Sequence, residues 1–372
     1  MASFADFSLL PSLLGTLAEQ GLTRPTPVQA ETIPPQLAGR GVVGVSETGS
    51  GKTLAYVLPM LHQLKTLEAG GDAVGAASRP RGLVLVPGRE LGEQVCKVFK
   101  SLTHDTRLRV RSVVGGTKKQ IARQNVGGMF EVLVATPGRL LQFLDAGQLQ
   151  LDDVRALVLD EADSLLGVDF LPILRRVLKE CPLGVRLALF AATLPAALEA
   201  TVGDLFTEPP VRVQTPGSRQ GVETLKTVNR NVTADQRFQA LAEVLAEGPQ
   251  VGTLLFANTR EQCERLAAWL TEQGLAHGTY RGQMDSLERR QNLAAFRKGE
   301  LSLLVATDLG GRGLDIEGLE RVINVFLPSD LDSYLHRVGR TARAGRSGTV
   351  VNLVTQRDLP LLSRIKQLGR GR

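Results

Sequence analysis

Aromatic side chains are scarce in this sequence: one Trp, three Tyr and twelve Phe among 372 residues. A chain so poor in flat rings does not read nucleic-acid bases mainly by stacking them on aromatic platforms. Cysteine is scarcer still. Cys96, Cys181 and Cys263 stand alone, with no Cys-x-x-Cys pair, which excludes a disulfide framework or zinc site and fits a reducing compartment. All three read as small buried hydrophobes. No run of consecutive apolar residues reaches the roughly 18 of a membrane span. The start, Met1 to Asp6, lacks the basic segment of a secretory signal. These absences predict a soluble, cytoplasmic protein without membrane contact.

What is present is ordinary globular composition, 43% apolar and 22% charged. At about 150 residues per domain the length suggests two domains. The net charge of +6 and pI near 9.4 favour a polyanionic partner. Arginine dominates that charge, 34 residues against 10 Lys. Either a GC-rich genome or selection for bidentate phosphate contacts accounts for the bias.

Short apolar runs, such as Gly82–Val86, Glu131–Val134, Leu157–Leu159 and Leu187–Phe190, alternate with amphipathic stretches. The pattern resumes at Thr253–Phe256, Leu303–Val305 and Val322–Val325. Continuous runs of this kind belong to parallel strands covered on both faces. The helical periods between them, including Arg89–Phe99, Glu261–Glu272 and Ser286–Phe296, make the repeated unit βαβ. Two proline clusters within 207–218 interrupt the pattern, and 208–222 reads as a linker between an α/β domain at 1–207 and a second at 223–372. Glu68 to Pro80, rich in Gly and Ala, reads as a surface loop.

Ser46-Glu47-Thr48-Gly49-Ser50-Gly51-Lys52-Thr53 lies between the strand Val42–Val45 and a helical period starting at Lys52. Glycines let backbone N–H groups turn inward around a phosphate. Lys52 supplies charge to the outer phosphates, and Thr53 offers a hydroxyl to Mg²⁺. Asp160 and Glu161 follow a buried strand, where an acid pair without a cation is costly. Asp160 is the candidate Mg²⁺ ligand and Glu161 the group that polarises attacking water. His336, Arg337, Arg340 and Arg343 form a basic cluster that is either a solvated face or a source of arginine fingers for the γ-phosphate. Asp315 accepts from a ribose hydroxyl, orients an arginine, or is a turn residue.

From about residue 4 to 356 this ordered set of motifs resembles the DEAD-box family of ATP-dependent RNA helicases. Gly21 to Gln29 looks like the family's Q motif. The resemblance implies that Gln29, with Arg24, reads the adenine edge, and that Phe4 lies against the base. Arg89, Gly116, Thr136 and Arg139 are similar to RNA-contacting positions of the first domain. Thr259, Gly282, Thr307 and Arg312 are similar to those of the second. Ala191-Ala192-Thr193 stands at the motif coupling hydrolysis to strand separation. His336, Arg340 and Arg343 fall in the last motif, with the two arginines at the finger positions. The implied fold is two tandem RecA-like α/β domains, each a mostly parallel sheet flanked by helices and joined by a flexible linker. ATP and Mg²⁺ would lie in a cleft, with single-stranded or short duplex RNA across both domains and no base specificity.

The sequence departs from the family pattern in places. Gly88 stands for Thr, Ser286 for Gln, Ala191 for the Ser of the coupling motif and Ala342 for a Gly, while Gly310-Gly311 replace two alanines. None removes a group at the reacting phosphate, so hydrolysis is expected intact and its coupling to unwinding weaker. The leading expectation is a monomeric RNA-stimulated ATPase that separates short duplexes or remodels RNA–protein complexes, with protein partners setting the target. The alternatives are an ATP-gated RNA clamp with weak unwinding and a P-loop ATPase on a substrate other than nucleic acid.

Overall fold

The computed structural model of this chain describes residues 3–47, 49–103, 106–116, 119–168, 170–215, 225–248, 252–282, 284–308, 319–341 and 348–370. Its contacts divide it into two compact units, Met1–Ser218 and Arg219–Arg372.

The first unit is built on seven strands: β1 (Val42–Val45), β2 (Gly82–Leu85), β3 (Val110–Val113), β4 (Val132–Ala135), β5 (Ala156–Asp160), β6 (Arg186–Ala191) and β7 (Val211–Gln214). They lie in the order β3-β4-β2-β5-β6-β1-β7, and every pairing is parallel. Val, Leu and Ala runs form these strands because both faces are covered, which is why β1, β2 and β4 are buried along their whole length. One cluster, including Val84, Val134 and Val158, packs under the helix Lys52–Ala69. The alternate residues Leu83, Leu133 and Leu157 pack on the other face.

The segment read as a linker begins differently from expectation. Val211–Gln214 is an edge strand, in register with Val42–Val45 of β1. Its alternation of valines with Arg212 and Gln214 buries Val213 and leaves the polar side outward. The prolines at 209 and 210 precede the strand and cost no ladder bond. Four residues between proline clusters are too few to carry a visible period.

The second unit repeats the design with β8 (Leu225–Asn231), β9 (Thr253–Ala257), β10 (His277–Tyr280), β11 (Leu303–Thr307), β12 (Arg321–Asn324) and β13 (Gly348–Val354). Its order is β10-β11-β9-β12-β13-β8, again all parallel. The helices Arg260–Glu272 and Ser286–Arg297 cover it, each capped at its start by the side chain of Thr259 or Asp285.

Candidate functional site

Parallel strands put their carboxyl ends on one edge of a sheet, and three neighbours, β5, β6 and β1, deliver the first unit's candidate residues there. β1 ends in the glycine loop, β5 in Asp160 and Glu161, and β6 in Ala191-Ala192-Thr193.

In the loop, Gly49 and Gly51 have φ of 84° and 90°, a region closed to most side chains. A Cβ on Gly51 would strike Gln29 Nε2. Gln29 is buried, donates to Gly51 O at 3.0 Å and accepts from Thr26 N at 2.9 Å, so it braces the loop. Lys52 opens the helix Lys52–Ala69, with Thr53 next. Its Nζ donates back to Ser46 O at 2.5 Å and Glu47 O at 2.8 Å, curling the charge over the loop. Among the described residues the buried Ser50 Oγ has no hydrogen-bond partner. Thr48 lies outside the described residues.

Asp160 is buried, with Oδ1 accepting from Glu161 N at 3.0 Å and Oδ2 from the Tyr56 hydroxyl at 2.7 Å. Burial pushes its carboxyl up to about 6, and neighbouring Glu161 adds to the rise while Tyr56 and Lys52 oppose it. Burial likewise raises the Tyr56 phenol, helped by Asp160. Sequence reading missed Tyr56, although its place one helical turn after Lys52 puts both on one face. Glu161 has φ of 49°, left-handed backbone that costs a non-glycine residue about 1–2 kcal/mol. It is buried, and its Oε2 has no hydrogen-bond partner. Two adjoining buried carboxylates, one with an orphaned oxygen, suit a cation-bearing ligand with a water to orient. Among the described residues no group of three or more His, Cys, Asp or Glu forms a ready metal cage. The donor set is that of Mg²⁺ held by one or two protein oxygens and substrate phosphates.

Beside the acids, Asp163 Oδ2 accepts from Thr193 N at 3.4 Å, and Ala191 O accepts from Ser46 N at 3.0 Å. Phe4 is buried in the core and meets Phe7 edge-on, ring centroids 6.0 Å apart, while Arg24 is exposed.

A separate open groove of about 580 Å³ gathers Arg89, Gly116, Thr136 and Arg139 of the first unit. The helices Arg89–Leu102 and Pro137–Asp145 start there, and neither has a side-chain cap. The positive end of a helix dipole favours anions. Arg89 Nε pairs with Glu93 at 2.7 Å, and its buried Nη1 has no hydrogen-bond partner. Arg139 Nη1 donates to Gln142 at 2.6 Å. Phe170 also lines the groove, and no local pattern in the sequence marks it.

In the second unit Thr259 accepts from Gln262 N at 3.2 Å as a helix cap, and Thr307 is buried at the end of β11. Gly282 follows β10 by two residues. Two arginines of the basic cluster are not on a solvated face: Arg337 and Arg340 are 1% and 4% exposed. Arg337 is a hub that sequence reading left without a role. It holds Asp308 through two bonds of 2.5 and 2.6 Å, and donates to Asn258 at 2.7 Å and Phe326 O at 2.6 Å. It also lies over the Phe256 ring. His336 sits on the helix Leu331–Val338. Arg312, Asp315 and Arg343 lie outside the described residues. No helix of the described residues is long and apolar enough to cross a membrane.

Comparison with known proteins adds independent findings. The family model for DEAD/DEAH box helicases matches residues 26–201, and the helicase conserved C-terminal domain matches 236–345. The chain is 36% identical over 368 residues to the ATP-dependent rRNA helicase RRP3 of Candida glabrata, covering 98% of this chain and 73% of that one. It is 35% identical over 370 residues to the ATP-dependent RNA helicase SrmB of Escherichia coli, covering 98% and 81%. Against the ATP-dependent RNA helicase DeaD of Mycobacterium tuberculosis, 34% identical, it spans 64% of the relative's length. Among solved structures, Saccharomyces cerevisiae Dbp5 bound to RNA and ADP BeF3 superposes with a TM-score of 0.87 at 25% identity, covering 100% of this chain and 94% of Dbp5.

Proposed function

The chain belongs to the DEAD-box family of ATP-dependent RNA helicases, and from that premise we propose how its own residues divide the work. The enzyme hydrolyses ATP and acts on RNA. Gln29 and Arg24 select adenine, and Phe4, closed in the core beside Phe7, meets the base only if nucleotide binding uncovers its ring. The loop Ser46–Thr53 binds the phosphates, with Lys52 turning from the loop carbonyls to the outer phosphate oxygens. Thr53 and Asp160 would hold Mg²⁺, which when bound offsets the charge of those oxygens. Glu161 Oε2 orients the attacking water and takes its proton. Arg340 and Arg343, with His336, supply charge to the γ-phosphate, and Asp315 meets the ribose.

RNA backbone lies in the groove of Arg89, Gly116, Thr136 and Arg139, and against Thr259, Gly282, Thr307 and Arg312. Backbone N–H, hydroxyl and guanidinium groups contact phosphate and sugar, which makes recognition independent of base sequence. The reading is of a monomer in the cytoplasm whose protein partners choose the RNA; its free buried thiols suit that reducing compartment.

The arrival of phosphate loop, acid pair and coupling motif at the carboxyl ends of three adjacent strands carries this reading. Its test is ATPase activity with and without RNA on wild type, Lys52→Ala and Glu161→Gln. RNA should stimulate the wild type and neither variant, and a wild type indifferent to RNA would overturn the reading.

A second reading, an ATP-gated RNA clamp that unwinds weakly, is favoured by Ala191. Ala191 brings no hydroxyl to bond the acids, and Thr193 N reaches Asp163 at a long 3.4 Å. Duplexes separated per ATP hydrolysed should rise in Ala191→Ser, and an unchanged ratio would dismiss the clamp.

A further inference from the structure

Ser46, the first residue of the phosphate loop, has all three of its polar groups engaged by different parts of the first unit. Its N–H donates to Ala191 O at 3.0 Å, its carbonyl accepts from Lys52 Nζ at 2.5 Å, and its Oγ accepts from the Thr215 hydroxyl at 2.7 Å. Thr215 follows β7 directly, three residues before the first unit ends. Its N–H donates to Val45 O at 3.1 Å. Thr215 therefore grips the end of β1 and the start of the loop together, through backbone and side chain. Both hydroxyls are buried, so water does not replace either one.

A nucleotide that draws Lys52 to its phosphates would change the division of labour at Ser46. In the structure Lys52 helps to hold the Ser46 and Glu47 carbonyls. A lysine committed to phosphate oxygens has fewer donors for those carbonyls, and the loop entry loses part of its anchorage. The Thr215 hydroxyl does not depend on Lys52 and stays in place. Its contribution is thus larger with nucleotide bound than without, which is the condition for an interaction to alter affinity rather than fold stability alone.

We propose that Thr215 is a positioning residue for the nucleotide loop, holding Ser46 in place while Lys52 is engaged with phosphate. The inference rests on residues 46–53 binding the phosphates, as proposed above.

The experiment measures nucleotide affinity by titration with a fluorescent ATP analogue, KM for ATP, kcat and Tm, all on the full chain. Thr215→Val keeps the shape and removes the hydroxyl. It should lower Tm by a few degrees, because the bond is already formed without nucleotide. It should also weaken ATP binding and raise KM, by at most about five-fold, the size of one neutral hydrogen bond, with kcat within about two-fold. Thr215→Ser should restore wild-type KM. Ser46→Ala should show the same weakening, and the double variant should be no weaker than either single one, because both remove one bond. A Thr215→Val protein that binds ATP as wild type does while losing only Tm would overturn the proposal. So would losses that add in the double variant. Lys52→Ala separates the two levels: if it binds the analogue as tightly as wild type, the reading of the loop has failed and the proposal falls with it, whereas weak binding by Lys52→Ala beside wild-type binding by Thr215→Val overturns the role of Thr215 alone.

Discussion

The phenol of Tyr56 donates to Oδ2 of Asp160 at 2.7 Å across 104 residues of sequence, with both groups buried. The bond leaves Asp160 oriented but does not offset its burial, and the carboxyl titrates near 6 instead of 3.8. The folded state therefore holds a proton more tightly than the unfolded chain. Stability is full below about 4, falls as pH rises towards 6, and stays reduced above it, by about 3 kcal/mol at most. In EDTA, Asp160→Asn should raise Tm at pH 7.5 and leave it nearly unchanged at pH 4. Tyr56→Phe should move the carboxyl midpoint further up, since the phenol bond lowers it. Equal gains for Asp160→Asn at the two pH values would show that the carboxyl does not carry this cost.

Glu161 combines left-handed backbone with an unpartnered buried oxygen, so it costs stability at the position proposed to orient the attacking water. Glu161→Gln should keep ATP and RNA affinity while phosphate release falls about 10²–10⁴-fold, the range for a lost general base. Glu161→Gly should lose turnover as well but melt higher, because glycine relieves the positive φ. Steady-state phosphate release and thermal melts on the two variants check both halves.

Arg337 is 1% exposed and links Asp308, Asn258 and Phe326 through a planar fork. Removing one partner of a buried ion pair costs about 3–5 kcal/mol because the other charge is stranded. Arg337→Ala should destabilise the second unit by that amount in urea. Arg337→Lys should recover little of it, since an ammonium cannot match the fork. Full recovery by lysine would mean that charge alone, without the planar geometry, holds the hub.

What could be read from the sequence was what neighbours in sequence decide. The run Val42–Val45, the loop through Thr53 and the acids after β5 are each specified within a few residues, and so were visible. β7 was hidden because four alternating residues between prolines carry no period. Tyr56 and Thr215 were hidden because their partners lie 104 and 169 positions away. Arg337 could not be told from the rest of its basic cluster because its burial depends on Asn258, 79 residues earlier, arriving beside its helix from the end of β9. Phe170 reaches the groove through tertiary packing that no local pattern announces.

Gly116 offers a test of the proposed RNA groove that leaves the loop Ser46–Thr53 untouched. Its φ is +73°, and a Cβ there would lie 2.6 Å from Arg89 Nη1, the buried nitrogen without a partner. Gly116→Ala must therefore both strain the turn and push the Arg89 guanidinium aside. RNA affinity should fall about ten-fold at 0.1 M salt, of the order of one charged hydrogen bond plus turn strain. The slope of log affinity against log salt should flatten by about 0.7, the value of one phosphate contact on a single strand. Arg89→Ala should flatten it by the same amount, and the double variant should do no more, because one guanidinium is displaced or deleted in each case. A Gly116→Ala protein with weaker binding but an unchanged slope would mean that the turn is strained while Arg89 keeps no phosphate, and the groove would lose its assignment.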